Sequence, residues 1–331
     1  MRVLVTGACG YVGSLLCPQL LAEGYEVIGY DVQWFGDGYW SHSNEHAKLI
    51  KGDIRDVKAF SAAAYGCDAV IHLACISNDT SCQLDEALST RINYDAFEPL
   101  VEAAKAAGVR RFIYCSSSSV YGVSDAPDVT EDHPLIPLTL YNRYKGMCEP
   151  LLLKHQAEDF ECVIIRPATV CGYAPRQRFD LTVNIMTRDA ILKNTISVFG
   201  GEQKRPNLHI KDMCDVYKLL LSAPTHLIQG QTFNVGAQNM KVKDIALLIQ
   251  ETVQDEFPGK MVRIETLPST DNRSYHINSQ KIFNALGFTP KRTVEDAIRD
   301  ICVRFHAGQF KDALTNPWYT NILQLIEKKV A

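Results

Sequence analysis

The stretch that most restricts the fold lies at the start of the chain. An apolar segment, Arg2–Thr6, runs directly into three glycines spaced Gly7-x-x-Gly10-x-x-Gly13, and a helical apolar pattern spans Tyr11–Glu23. Gly7 lets the backbone turn sharply, Gly10 lets a ligand approach without a Cβ in the way, and Gly13 lets the helix pack close to the strand. The spacing predicts a buried strand, a tight turn and a helix whose free N–H groups and positive dipole end face an anion.

A second apolar strand, Glu26–Tyr30, ends at Asp31, about 20 residues beyond the glycines. A carboxylate at this position accepts hydrogen bonds from both ribose hydroxyls of an adenosine and repels a 2′-phosphate. The pattern therefore predicts a dinucleotide site that takes NAD rather than NADP. The alternative is a structural glycine turn followed by a solvated aspartate, which the order of strand, glycines, helix and strand disfavours.

A short third strand, Ala47–Lys51, is followed by Asp53 and Ile54. In a wound sheet this strand end faces the adenine, so we expect both residues to contact the base. A second role for Asp53, as the cap of the next helix, is compatible with the first. His42 and His46 are four residues apart, but no helix or acidic third ligand supports them, and they predict no metal site.

Strands and helices continue to alternate along the first half of the chain. Asp68–Ala74 and Arg111–Cys115 are typical of strands, and Glu86–Ala107 between them is typical of one long helix. The alternation predicts an α/β fold with a Rossmann-type, doubly wound parallel sheet, which binds ligands at the carboxyl ends of its strands. At one such end, the small Ala74 suits a backbone pressed against a cofactor.

Composition limits the partners that such a fold would have. The 331 residues are 46% hydrophobic and 22% charged, which is typical of a globular chain. A net charge of −4 argues against nucleic acid or an anionic membrane as partner, and no apolar run approaches the roughly 18–20 residues of a membrane span. The eleven cysteines are scattered, as buried thiols in a reducing compartment are, so we expect a cytoplasmic protein.

The fifth strand delivers a run of four serines, Ser116–Ser119, and a later helix opens with Tyr141 and Lys145. Residues four apart share one helix face, whereas Tyr144 points elsewhere. A free tyrosine has a pKa near 10, and a nearby ammonium favours the phenolate, so we expect Lys145 to lower the pKa of Tyr141 toward neutrality. Such a phenol can exchange a proton with a sugar hydroxyl, and a serine at the strand end can hold the same oxygen.

Together these motifs resemble the extended short-chain dehydrogenase/reductase family, in its branch of NAD-dependent nucleotide-sugar epimerases and dehydratases. The resemblance covers nearly the whole chain. Besides the glycines, the matching segments are Asp53-Ile54, His72-Leu-Ala74, Val120-Tyr-Gly122, Tyr141-x-x-x-Lys145 and Ile165-Arg-Pro167.

The resemblance implies three sets of site residues. The catalytic residues are Ser117, Tyr141 and Lys145. The NAD-binding residues are Gly7, Gly10, Tyr11, Val12, Gly13, Asp31, Asp53, Ile54, Leu73, Ala74, Tyr141 and Lys145. The residues that bind a nucleoside-diphosphate sugar are Ser77, Ser117, Ser118, Asn184, Arg205 and Arg273. Arg176 and Arg178 are weaker candidates for the diphosphate.

Two positions depart from the family pattern in an informative way. The 4,6-dehydratases carry Asp-Glu after the catalytic Ser/Thr, the uronate decarboxylases carry Glu at the second of these positions, and the 3,5-epimerases carry Cys there. Here the two positions are Ser118 and Ser119. The resemblance therefore implies hydride chemistry at one carbinol carbon, most simply a 4-epimerase. The alternatives are a 4-dehydrogenase or 4-keto reductase with net redox, and a regulator that binds NAD without chemistry.

The resemblance also implies a two-lobed organisation. Residues 1–170 and a returning segment of about 207–235 would form the NAD-binding domain, and residues 171–206 and 236–331 a smaller C-terminal α/β lobe for the sugar nucleotide. The helix that contains Asn93 and the helix Tyr141–Ala157 have long apolar faces, which in relatives pair across a homodimer interface. A face buried within one chain would show the same periodicity.

Overall fold

The computed structural model describes residues 1–37, 40, 46–124, 126–269 and 274–330. Its strands are β1 (Arg2–Thr6), β2 (Glu26–Asp31), β3 (Ala47–Lys51), β4 (Ala69–His72), β5 (Arg111–Cys115), β6 (Glu161–Pro167), β7 (Thr169–Cys171), β8 (Thr195–Phe199), β9 (Lys204–His209), β10 (Gln231–Val235), β11 (Gln238–Lys241) and β12 (Arg263–Leu267). Seven of them form one parallel sheet in the order β10-β6-β5-β4-β1-β2-β3. The predicted Rossmann-type sheet is thus confirmed.

The helices are α1 (Gly13–Ala22), α2 (Val57–Ala64), α3 (Asp79–Leu84), α4 (Glu86–Thr90), α5 (Phe97–Ala106), α6 (Leu140–Leu153), α7 (Thr182–Lys193), α8 (Ile210–Ser222), α9 (Thr225–Ile228), α10 (Val242–Glu256), α11 (Gln280–Leu286), α12 (Val294–His306) and α13 (Asn321–Glu327). A π-helical turn spans Arg91–Asp95, and 3₁₀ turns span Ser118–Tyr121 and Pro317–Tyr319. No helix among the described residues is long and apolar enough to cross a bilayer.

The main sheet is covered on both faces. Side chains along a strand point alternately to the two faces, so each strand contributes to two buried clusters. Val3 and Val5 belong to one buried apolar cluster, whereas Leu4 between them belongs to the cluster on the other face. Neighbouring strands are also in register, since Thr6 is opposite Tyr30 of β2 and His72 of β4. The carboxyl ends of the central strands therefore lie side by side.

The second half of the chain builds two small sheets and then returns to the first half. One has the order β11-β9-β7, and the other consists of β12 and β8. Helices α7, α10 and α12 pack together over these sheets. The returning segment is divided, because β9 lies in the small sheet while β10 pairs with β6 in the main sheet. The last helix also returns, and its Leu325 is buried among the residues that cover the main sheet.

The helix predicted over Glu86–Ala107 is not continuous. The structure divides it into α4, the π-helical turn and α5. The turn carries Asn93, whose side chain accepts from the N–H of Ile76 at 2.8 Å and donates to the C=O of Ile76 at 2.9 Å. A widened turn fits this role, because it moves one side chain out of the regular helical row and toward the loop after β4.

Candidate active site

A cleft with a volume of about 410 Å³ lies at the carboxyl ends of the central strands. It is lined by most of the residues predicted to form the site. They are Gly7, Gly10, Tyr11, Val12, Gly13, Asp31, Asp53, Ile54, Leu73, Ala74, Ser77, Ser117, Ser118, Tyr141, Lys145 and Arg205. Asn184 does not line the cleft, and Arg273 lies outside the described residues, as does His42.

The turn formed by Gly7, Gly10 and Gly13 leaves no room for a side chain at Gly7 or Gly13. Gly7 has φ +71°, and a Cβ there would lie 2.8 Å from the backbone N of Ala74. A Cβ on Gly13 would lie 2.4 Å from the C=O oxygen of Gly7. The helix that follows starts at Val12, which has no side-chain group to cap it. Its first N–H groups and its positive dipole end therefore face the cleft, where an anion would be stabilised.

Two carboxylates follow this turn around the cleft. Asp31, 9% exposed, accepts from the N–H of Cys9 at 2.9 Å and of Gln33 at 2.6 Å. Each Asp31 oxygen keeps lone pairs for further donors, such as hydroxyls. Burial raises the pKa of Asp31, and the two N–H donors oppose that rise.

Asp53 pairs with Arg55 at 2.5 Å, which lowers the pKa of Asp53. Asp53 is not the helix cap, because Asp56 accepts from the N–H of Ala59 and caps α2.

The three predicted catalytic residues meet at the end of β5. Ser117 follows that strand by two residues, and Thr139 caps α6 so that Tyr141 and Lys145 lie one turn apart on the side facing β5. The Lys145 Nζ lies 5.9 Å from the centre of the Tyr141 ring and donates to the C=O of Cys115 at 2.6 Å. A lysine that is only 5% exposed is thereby fixed between the strand end and the tyrosine ring.

The pKa of Tyr141 differs from the expectation. Burial raises the pKa of Tyr141 well above its usual value, nearby thiols including Cys75 and Cys115 add to the rise, and the Arg178 charge opposes it. Desolvation wins because it disfavours the charged phenolate, while the ammonium of Lys145 is directed to the C=O of Cys115 rather than to the phenol oxygen. Burial at this site therefore favours the neutral phenol over the phenolate.

Serine and asparagine occupy the positions next to these residues. The Oγ atoms of Ser117 and Ser119 are 2.6 Å apart, and Ser119 Oγ donates to Asn142 Oδ1. Ser118 is 1% exposed and lines the cleft. None of these neutral side chains ionises near neutral pH, so this part of the described site lacks a carboxylate pair able to eliminate water.

The remaining predicted substrate residues lie at the other side of the cleft. Ser77 Oγ accepts from Asn321 Nδ2 at 2.8 Å and from Arg178 at 3.3 Å. Arg205 lies on β9, with its guanidinium 5.5 Å from the ring centre of Tyr275. Asn184 is fully buried, since its amide bonds the N–H of Gly172, the hydroxyl of Tyr11 and the C=O of Arg178. Its amide holds two loops together instead of facing the cleft.

A scan against protein-family models matches residues 3–236 to the NAD dependent epimerase/dehydratase family. The chain belongs to that family. It is 33% identical over 246 residues to a UDP-glucose 4-epimerase of Mycolicibacterium smegmatis, covering 71% of this chain and 77% of the relative. It superposes with a TM-score of 0.81 on a UDP-glucuronic acid 4-epimerase from Bacillus cereus solved with UDP-glucuronic acid and NAD, at 27% identity over 93% of this chain and 99% of that one.

A dTDP-glucose 4,6-dehydratase from Streptomyces venezuelae has the same fold, with a TM-score of 0.83 at 23% identity over 95% of this chain and all of that one. The cofactor of the epimerase/dehydratase family is NAD, and the residues present fit it. The glycine turn leaves a cradle that a Cβ would fill, and the Asp31 carboxylate stands at the end of β2 with lone pairs available. These groups would hold the diphosphate and the adenosine ribose of the dinucleotide.

Two residues that line the cleft have a weak signal in the sequence or none. Arg178, paired with Asp180 at 2.8 Å, was predicted only as a weaker candidate for the diphosphate, because an arginine is usually an exposed charge. Asn321 comes from the last helix and was not predicted. Asn321 reaches Ser77 from 244 residues away along the chain, a separation that local pattern does not encode.

Proposed function

We propose that the chain is an NAD-dependent epimerase of nucleoside-diphosphate sugars that acts at C4. One observation carries the proposal. Ser117, Tyr141 and Lys145 line the same cleft as the glycine turn, while the positions that hold the acid and base of a dehydratase hold Ser118 and Ser119. The similarity to a UDP-glucose 4-epimerase and a UDP-glucuronic acid 4-epimerase supports it.

In this proposal NAD, when bound, takes a hydride from the sugar carbon and returns it. Tyr141, as the phenolate, would take the proton of the C4 hydroxyl through its phenol oxygen and later give it back. Because burial disfavours the phenolate, the phenol must first release its own proton to solvent. Ser117 Oγ holds the same sugar oxygen as it changes from hydroxyl to ketone. Lys145 supplies a fixed positive charge beside the ring of Tyr141, which favours the phenolate whenever the proton has to leave. Hydride return to the opposite face completes an epimerisation without net redox.

The sugar nucleotide would lie between the two lobes. We propose that Ser77 and Ser118 contact the sugar and that Arg205 and Arg273 pair with its diphosphate, because an arginine fork matches phosphate oxygens. The NAD-binding domain would be residues 1–170 and 207–235, and the substrate lobe residues 171–206 and 236–331. Asn184 would act there through the loops that it joins.

Two other activities remain alternatives. A 4-dehydrogenase or 4-keto reductase would use the same side chains but exchange its nicotinamide in every turnover. A 4,6-dehydratase is disfavoured because Ser118 and Ser119 supply neither acid nor base. A regulator without chemistry is disfavoured because Tyr141 and Lys145 are both present and adjacent.

The test begins with denaturing the purified protein and identifying the nicotinamide that it releases. The intact protein is then incubated with UDP-glucose, UDP-galactose and UDP-glucuronic acid without added cofactor, and the products are separated by chromatography. Interconversion of 4-epimers with retained NAD supports the proposal. Turnover only when NAD or NADH is consumed in proportion to product would establish the dehydrogenase or reductase instead.

Two broader expectations belong to the same proposal. All eleven cysteines are free thiols in the structure, which fits a reducing compartment such as the cytoplasm. We also propose a homodimer formed through α5 and α6. Light scattering after size exclusion would show twice the mass of the 37.0 kDa chain, and a single-chain mass would contradict the dimer.

A further inference from the structure

Arg176 is a buried cation with no carboxylate in direct contact among the described residues, although the charges of Asp31 and Asp180 act on it from further away. It is 3% exposed, and its guanidinium lies 3.8 Å from the ring centre of Phe35. Its Nη2 donates to Asn321 Oδ1 at 2.6 Å, and its Nε is buried without a partner. Among the described residues it forms no ion pair, whereas Arg178, two residues later, is paired with Asp180. Burying a charge without a partner is costly, and burial lowers the pKa of Arg176 to about 9.

The position of Arg176 shows which ligand would supply the missing charge. Its backbone N–H donates at 3.1 Å to Ser14 Oγ, in the first turn of α1. Arg176 thus lines the cleft above the uncapped start of that helix, together with Asp31. Two positive centres, the helix N-terminus and the guanidinium, thus border the same cleft, which fits a doubly charged diphosphate.

We propose that Arg176 binds the diphosphate of the dinucleotide and that Asn321 of α13 positions it. The diphosphate of the sugar nucleotide is a poorer match, because the backbone of Arg176 bonds Ser14 in the first turn of α1, whereas Arg205, the proposed partner of that diphosphate, lies on β9 beside Tyr275. The proposal depends on the family's cofactor and not on the reaction, so it stands or falls separately from the epimerase assignment.

The C-terminal segment holds both groups that contact the Arg176 guanidinium, the amide of Asn321 and the ring of Phe35. Trp318 Nε1 donates to the C=O of Phe35 at 2.8 Å, and Gln324 Nε2 donates to the C=O of Trp34 at 3.0 Å. The same segment that orients the guanidinium through Asn321 therefore also holds the ring on which it stacks. Loss of this segment should loosen the bound dinucleotide even though every glycine of the turn stays in place.

The test compares Arg176→Gln and Arg176→Lys with Arg188→Gln. Arg188 is the matched control, because it is also a buried arginine near an aromatic ring, Phe179, but pairs with Asp189 outside the cleft. We measure the NAD released per chain on denaturation, and the Kd of ADP-ribose and of adenosine by calorimetry. For Arg176→Gln we expect a Kd for ADP-ribose about 10- to 100-fold higher, with adenosine unchanged. Arg176→Lys should fall between, and Arg188→Gln should match the wild type.

Two results would overturn the proposal. One is an unchanged Kd for ADP-ribose in Arg176→Gln. The other is an equal weakening for adenosine and ADP-ribose, which would place the arginine at the nucleoside. If circular dichroism shows that Arg176→Gln does not fold, the proposal is tested with Asn321→Ala instead. That variant keeps the guanidinium but removes the hydrogen bond that positions it. Faster release of NAD from Asn321→Ala supports the proposal, and release at the wild-type rate refutes it.

Discussion

At the scale of single residues, burial decides the chemistry of the site as much as the neighbouring charges do. The pairing of Tyr141 with Lys145 follows from four-residue spacing and could be predicted. The direction of the pKa shift could not, because it depends first on how deeply the fold buries the phenol and then on the nearby thiols of Cys75, Cys115 and Cys82, which separate segments of the chain supply. Similarly, the sequence identified Asp31 as a site residue and Arg176 only as a weaker candidate, because no local pattern shows that the Arg176 Nε is buried without a partner.

Tyr141→Phe should lower kcat by at least about 100-fold, because it removes the hydroxyl that we propose exchanges the sugar proton. NAD content should not change. Tyr144→Phe is the matched control, since its hydroxyl contacts Thr90 at 2.6 Å and points away from the cleft. Rates of epimer formation check both variants, and turnover near the wild-type rate in Tyr141→Phe would refute the assigned proton donor and acceptor.

Ser117→Ala should lower kcat by about 100- to 1,000-fold with a smaller change in KM, because the serine stabilises the oxygen mainly as it becomes a ketone. Ser117→Thr keeps the hydroxyl and should recover most of the rate. Steady-state kinetics on both variants test this. A rise in KM alone, with kcat preserved, would reduce Ser117 to a substrate-binding residue.

At the scale of elements, the strands were the easiest part to predict. β1, β3 and β5 have the predicted limits. For the central strands β1 and β5 the reason is that a strand buried on both faces reads as a nearly continuous apolar run. The helix over residues 86–107 was predicted as continuous, since its apolar stripe does not show the widened turn at Arg91–Asp95. The cause of that turn is a contact with Ile76, which is distant in sequence.

Asn93→Ala should lower the free energy of unfolding by about 1–3 kcal/mol, because it leaves the N–H of Ile76 buried without its partner and the C=O of Ile76 with only the thiol of Cys82. The loop that carries Ser77 should then loosen. Urea unfolding measures the loss of stability, and amide exchange measures the mobility of residues 73–78. Glu102→Gln, exposed on α5, is the control and should stay within about 0.5 kcal/mol. An unchanged free energy of unfolding for Asn93→Ala, with amide exchange of residues 73–78 as slow as in the wild type, would contradict this role.

At the scale of the whole molecule, thiols scattered through the interior link stability to pH. Burial raises the pKa of Cys67 to about 11 and that of Cys302 to about 12. A raised pKa in the folded state means that the unfolded chain loses these protons first. The contribution of these thiols to the free energy of unfolding is fully present at pH 7. It is lost as the pH rises from about 8.5, the unfolded pKa, through the folded pKa values.

We therefore expect the free energy of unfolding to fall steeply between pH 9 and pH 11, each such thiol contributing about 1.4 kcal/mol per pH unit. Urea titrations at pH 7, 8, 9 and 10 with a reductant present measure the slope. Cys302→Ala, which removes one titrating group, should have a shallower slope by that amount. Equal stability at pH 8 and pH 10 would contradict the expectation.

The contact of Asn321 with Ser77, 244 residues apart, has a consequence for biosynthesis. A ribosome adds roughly 5–20 residues per second, so the β4 loop emerges at least about 12 seconds before the helix that covers it. During that interval the first half of the nascent chain has a cleft that α13 does not yet cover. A premature stop codon just before position 317 would leave the whole main sheet intact, yet it would delete the part that closes over the ligand.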